Sequence, residues 1–150
     1  MNSDVIVIGL GAMGGALARR LVAGGVTLHV YDPDAARVAE LTALGAIGHG
    51  SVGAVADAAA TVYACLPGAE VAMAVAKEAG AGKALRIYVE TSTIGRGALQ
   101  AIARELQPRG VQVVDAPVSG GPRGADAGTL SIMAAGDAEA LAGVRPQLQA

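Results

Sequence analysis

The chain predicts a doubly wound parallel α/β sheet with helices on both faces. Short β-branched runs alternate with longer Ala-rich stretches from Asp4 onward, and the runs are apolar throughout rather than at every second position. Strands of that kind are buried on both sides, as in parallel sheets covered by crossover helices. Right-handed crossovers then make double winding the economical topology. Size agrees, since 150 residues that are 53% apolar make one domain with one core.

Val5 to Gly9 reads as the first strand, continuous Val and Ile stopped by glycine. Met13, Leu17 and Leu21 recur every four residues, one face of a helix that Gly24-Gly25 ends. Thr27 to Tyr31 is the second strand; Asp32-Pro33-Asp34 opens a helix carrying Val38 and Leu41, with Gly45 as its stop. Ala46-Ile47 predicts a short third strand, and Ser51 caps a brief helix with Val52 and Val55. Thr61 to Leu66 is a strand ended by Pro67-Gly68, and Glu70 to Ala79 a helix. Arg86 to Glu90 is the next strand, and Leu99, Ile102 and Leu106 mark a helical face broken by Pro108 and Gly110. Val111 to Val114 is a strand, Asp115 to Gly121 a loop, Leu130 to Ala134 a last strand, and Asp137 caps a terminal helix.

Composition narrows the function. A balance of 11 Lys and Arg against 13 Asp and Glu gives a net charge of -2, which argues against a nucleic-acid binder, since that needs a basic face. One cysteine, Cys65, forms no internal disulfide and fits a reducing cytoplasm. The amino terminus lacks the basic stretch of a signal peptide, and no apolar run is long enough for a membrane span. We therefore expect a cytoplasmic chain with no membrane partner. His29, in a strand, and His49, in a glycine-rich loop, show no metal-like spacing, so no metal site is expected; they read as a sheet-face residue and a solvated one.

Gly9-Leu10-Gly11-Ala12-Met13-Gly14 follows the first strand and opens the first helix. Gly9 permits the tight turn, Gly11 removes the side chain that would block a pyrophosphate, and Gly14 allows close helix–strand packing. Backbone N–H groups and the helix dipole then favour the dianion. Such a glycine pattern alone is weak, and a glycine turn that merely packs is the plain alternative. The context is stronger, because an acid, Asp32, ends the second strand 23 residues after Gly9, near the expected ~20. Asp32 would bind the adenosine ribose hydroxyls and repel a 2′-phosphate, favouring NAD over NADP. Arg37, one helical turn later, keeps NADP open, and a helix-capping acid is the plain reading of Asp32.

The glycine loop and three further segments resemble the β-hydroxyacid dehydrogenase family (3-hydroxyisobutyrate dehydrogenase-like), whose cofactor domain is of the 6-phosphogluconate dehydrogenase type. These segments are Leu66-Pro67, Ser92-Thr93-Ile94, and Asp115-Ala116-Pro117-Val118-Ser119-Gly120-Gly121 with Gly124-Ala125 and Gly128-Thr129-Leu130 beyond it. The resemblance implies a Rossmann domain over residues 1–150. It implies cofactor contacts from Gly9, Leu10, Gly11, Ala12, Met13, Gly14, Asp32, Leu66, Pro67 and Thr93. A substrate carboxylate would be held by Ser119, Gly120 and Gly121, and a hydroxyl beside two glycine N–H groups suits that task. Arg123 beside this loop and Glu90 at a strand end read as a solvated arginine and an ordinary strand-end acid.

Family members pass a hydride to nicotinamide while a lysine handles the hydroxyl proton, and that lysine belongs to a second, all-helical domain. Lys77 and Lys83, the two lysines here, match neither its position nor its setting. The expectation is thus an oxidoreductase cofactor domain for a small β-hydroxy acid or semialdehyde. It should bind NAD(H) and turn over nothing alone, with no catalytic residue of its own, and a surface left bare could support a homo-oligomer. A free-standing NAD(H)-responsive module without catalysis is the alternative. A methyltransferase-like fold ranks last, because it needs neither the third glycine nor the Ser-Gly-Gly loop.

Overall fold

In the computed structural model, which describes residues 4–149, six strands form one parallel sheet. Across it run β3 (Ile47–Gly48), β2 (Leu28–Tyr31), β1 (Val5–Ile8), β4 (Thr61–Ala64), β5 (Ile87–Glu90) and β6 (Gln112–Asp115). The order reverses between β1 and β4, so the carboxyl ends of these two strands flank a crevice where ligands of such sheets bind. Met1–Ser3, read above for a leader, and Ala150 lie outside the described residues.

Alternation along each strand assigns the two faces. Val5, Val7, Leu28, Val30, Val89 and Val114 pack under α1 (Ala12–Ala23), α2 (Ala35–Ala43) and α7 (Ala138–Leu148). Ile6, Ile8, Val62, Ala64 and Tyr88 pack under α3 (Val52–Ala56), α4 (Ala69–Ala79) and α5 (Arg96–Leu106). The central strands β1 and β4 are thus covered on both sides, which is why β1 is apolar at every position. Ser51, Asp34 and Asp137 accept N–H bonds from the first turns of α3, α2 and α7. Among the described residues, no helix is long and apolar enough to cross a membrane.

The buried face of α1 differs from the expected Met13–Leu17–Leu21 stripe. Leu21 is buried, but the rest of the buried set is Gly14, Gly15, Ala16 and Ala18, while Met13 and Leu17 are only half-buried. The helix lies so close to the β1 turn that only small residues fit beneath it, and the larger pair is pushed to its flanks.

The chain after β6 departs from the reading of Asp115 to Gly121 as loop and keeps, in shorter form, the strand expected over Leu130 to Ala134. It holds β7 (Val118–Ser119), α6 (Gly121–Ala127) and β8 (Ser131–Ile132), the two strands pairing antiparallel outside the main sheet. Two glycines and a proline hide α6 from propensity. The helix forms because Pro122 starts it, Gly128 ends it in the left-handed conformation, and buried Gly124 and Ala125 keep it slender. Arg19 on α1 and Asp126 on α6 pair across the two helices at 3.3 Å.

His29 sits in β2 as expected, whereas His49 departs from the reading as a solvated loop residue. His29 Nδ1 lies 2.9 Å from His49 Nε2, and His29 Nε2 lies 3.3 Å from Asp4 Oδ2. His49 therefore packs against the sheet face instead of standing in solvent, because its backbone N–H is drawn onto Val30 O beside β2. Burial, then the neighbouring His29, lowers its pKa below the ordinary value.

Candidate functional site

The three loop glycines occupy three different environments. At Gly9 (φ +96°) an added Cβ would strike the Cys65 carbonyl, and at Gly14 it would strike the Gly9 carbonyl. At Gly11 it would meet only Arg37 Nη1, 3.8 Å away. Gly9 and Gly14 are thus required by the chain itself, whereas Gly11 is bare toward open space. Gly11 is also the N-cap of α1 and places no side chain on the helix's first N–H groups, which leaves donors for an anion.

That space is a crevice of about 620 Å³, bordered by Gly9, Gly11, Met13, Gly14, Asp32, Leu66 and Pro67. Tyr31, Val52 and Val71 add apolar walls. The volume is in the range of small-molecule and cofactor sites. Asp32 stands at the β2 end, 8% exposed. Its Oδ2 accepts the Leu10 N–H and its Oδ1 the Asp34 N–H, both at 2.8 Å. The acid therefore ties the glycine loop to the end of β2, and each oxygen keeps a lone pair for a further donor. Arg37 Nη1 lies 4.0 Å from Asp32 Oδ2 and reaches the crevice wall.

Leu10, by contrast, buries its side chain in the core and commits its N–H to Asp32, so it shapes the loop from beneath. Ala12 is exposed in the first turn of α1. Thr93 borders a neighbouring hollow of about 380 Å³ with Ser92, Ile94, Arg96, Asp115 and Pro117. Ser119 and Gly120 are exposed on the β7–α6 turn, and Gly120 (φ +130°) and Gly121 (φ +64°) turn the chain there. None of these three borders the crevice or the Thr93 hollow.

Two acids and a thiol complete the electrostatics. Glu90 is fully buried at the end of β5, not a surface strand-end acid, and burial pushes its pKa up to about 7. No signal in the sequence marks its burial, because an acid follows the apolar pair Tyr88-Val89 whether or not a turn covers it. Asp115 is also raised by burial, as is the Cys65 thiol, so Cys65 offers a small crevice wall and not a reactive thiolate. Lys77 lies in the last turn of α4, and the Lys83 N–H donates to Asp57 in the turn before β5; neither borders the crevice or the Thr93 hollow.

Comparison with known proteins gives a consistent picture. The 3-hydroxyisobutyrate dehydrogenase of Pseudomonas aeruginosa is 37% identical over 153 residues, covering 98% of this chain and 51% of that protein. The solved structure of Mycobacterium tuberculosis 3-hydroxyisobutyrate dehydrogenase with L-serine superposes with a TM-score of 0.94 at 29% identity, over 99% of this chain and 52% of that one. Psf3, solved with NADP+ and 2-OPP, superposes at 0.89 with 32% identity, over 97% and 53%. The chain thus spans about half the length of the relatives it matches. The family model for the NAD binding domain of 6-phosphogluconate dehydrogenase matches residues 4–150, and the chain belongs to that family.

Proposed function

We propose that this chain binds NAD(H) across the β1–β4 crevice as the cofactor part of an oxidoreductase acting on a small β-hydroxy acid. The observation that carries the reading is the bare centre of the glycine loop. Backbone crowds Gly9 and Gly14, while Gly11 opens on a crevice that has Asp32 at one side and Leu66-Pro67 at the other. The pyrophosphate would lie over Gly11 and the free N–H groups of α1, with the adenosine ribose on Asp32 and the nicotinamide half toward Leu66, Pro67 and Thr93. A lone pair on Asp32 accepts a ribose hydroxyl but repels a 2′-phosphate, which favours NAD. When bound, the dinucleotide supplies the hydride acceptor or donor.

Ser119, Gly120 and Gly121 are proposed to hold the substrate carboxylate. The positive-φ turn exposes their backbone, and the Ser119 hydroxyl adds a donor without bulk. Neither lysine borders the crevice, so the group that moves the hydroxyl proton is proposed to come from outside these residues. Residues 4–149 alone should then bind cofactor without turnover. Titration with NADH, with and without 3-hydroxyisobutyrate, tests the reading. Saturable NADH binding that the acid strengthens supports it; absence of NADH binding to folded protein refutes it. NADH binding indifferent to every small hydroxy acid would favour a module that senses the cofactor without catalysis.

A further inference from the structure

Glu90 has no exposed surface, and its Oε2 has no hydrogen-bond partner. A dry, unpartnered carboxyl oxygen is costly, and the rest of the side chain shows what accompanies that cost. Its Oε1 accepts the Ser92 N–H at 3.3 Å. The Ser92 hydroxyl in turn accepts the Leu66 N–H at 2.6 Å. Leu66 lies in the turn after β4, beside the crevice, and Ser92 in the turn after β5, beside the Thr93 hollow.

We propose that Glu90 is a positioning residue that, by accepting the Ser92 N–H, holds Ser92 where its hydroxyl clamps the Leu66–Pro67 turn to the Ser92–Thr93 turn, and so shapes the nicotinamide end of the site. The identity of the ligand rests on the function proposed above; the clamp rests on the hydrogen bonds alone. An ionised acceptor makes hydrogen bonds roughly twice as strong as a neutral one, and linked bonds polarise one another. Ionised Glu90 therefore tightens Ser92 onto Leu66, and protonated Glu90 loosens it. Burial raises the group to about 7, Asp115 on β6 adds to the rise, and hydrogen bonding by Ser92 opposes it. Tyr88 on β5 and Cys65 after β4 also face its charge. Both states are thus populated near neutrality, and the clamp varies there.

Amide hydrogen exchange of the free protein between about pH 6 and pH 8 reads the clamp directly. Protection of the Leu66 amide, corrected for intrinsic exchange, should rise about five-fold across that range in the wild type. Glu90→Gln should hold it flat, and Ser92→Ala should lower it at every pH. A Leu66 profile unchanged in Glu90→Gln overturns the proposal. If that variant fails to fold, a Leu66 amide in Ser92→Ala as protected as in the wild type overturns it instead. NADH affinity should follow the same pH trend in the wild type and lose it in Glu90→Gln; an affinity that ignores pH while the clamp responds overturns the link to the cofactor end. Absence of any NADH binding would sink the proposed function, and the exchange result would still decide the role of Glu90.

Discussion

Gly11 and Gly14 are three residues apart and chemically identical, yet the structure assigns them opposite sensitivities. A methyl group at Gly14 would drive into the Gly9 carbonyl, and backbone cannot rotate away as a side-chain tip can. Overpacking of that kind costs about 3 kcal/mol, while replacing a helix-interior glycine by alanine returns about 1 kcal/mol. Gly14→Ala should therefore lose about 2 kcal/mol, a fall of roughly 4–8 °C in Tm for a domain of this size. At Gly11 the methyl meets no atom nearer than 3.8 Å, so only the poorer N-cap matters, a few tenths to about 1 kcal/mol. That same methyl would stand where the pyrophosphate must approach. NADH affinity should fall at least about ten-fold, the equivalent of about 1.4 kcal/mol. Thermal melts and NADH titrations of both variants provide the assay. Equal melting of Gly14→Ala and wild type, or wild-type NADH affinity in Gly11→Ala, would refute this division of labour.

Three more outcomes follow from the same geometry. Asp32→Asn faces an amide NH2 against one of two N–H groups held at 2.8 Å, so it should cost about 2 kcal/mol and shift relative affinity toward NADPH in paired titrations. Arg37 is half-exposed at 4.0 Å from Asp32, so Arg37→Ala should change stability by less than about 1 kcal/mol; NADPH binding should weaken while NADH binding barely moves. Glu90 rises from an ordinary 4.5 to about 7 on folding, so between those values the native state holds a proton that the unfolded chain has released. Stability should therefore fall as pH rises from about 4.5 to about 7, by up to about 3 kcal/mol, and chemical denaturation of Glu90→Gln should lack that slope.

The sheet was legible because its strands carry an unambiguous signal. Val5 to Ile8 is apolar at every position, and such a run, stopped by Gly9 and followed by a helical period, has few other readings. The six-strand order matches the predicted double winding, and even the weak third strand is present as Ile47–Gly48. What escaped was decided by tertiary contact. α6 is helical despite two glycines and a proline, and its burial against α1, with Arg19 paired to Asp126, depends on residues far from it in sequence. The α1 stripe shifted because of Gly14's approach to Gly9. His29 and His49 are twenty residues apart, and only the β2–β3 pairing brings them together. At the site, Gly9, Gly11, Met13, Gly14, Asp32, Leu66 and Pro67, distant in sequence, border one crevice. The burial of Glu90 did not show, because an acid at a strand end looks the same whether water reaches it or a neighbouring turn covers it.

The most direct examination of the central claim is an NMR titration of the isotopically labelled protein with NADH. If the dinucleotide spans the switch point of the sheet, amide resonances of Gly11 through Gly14, the Asp32 region, Leu66 and Thr93 should shift together along one saturable curve. Shifts gathered elsewhere, or none in a protein whose spectrum stays folded at saturating NADH, would contradict it.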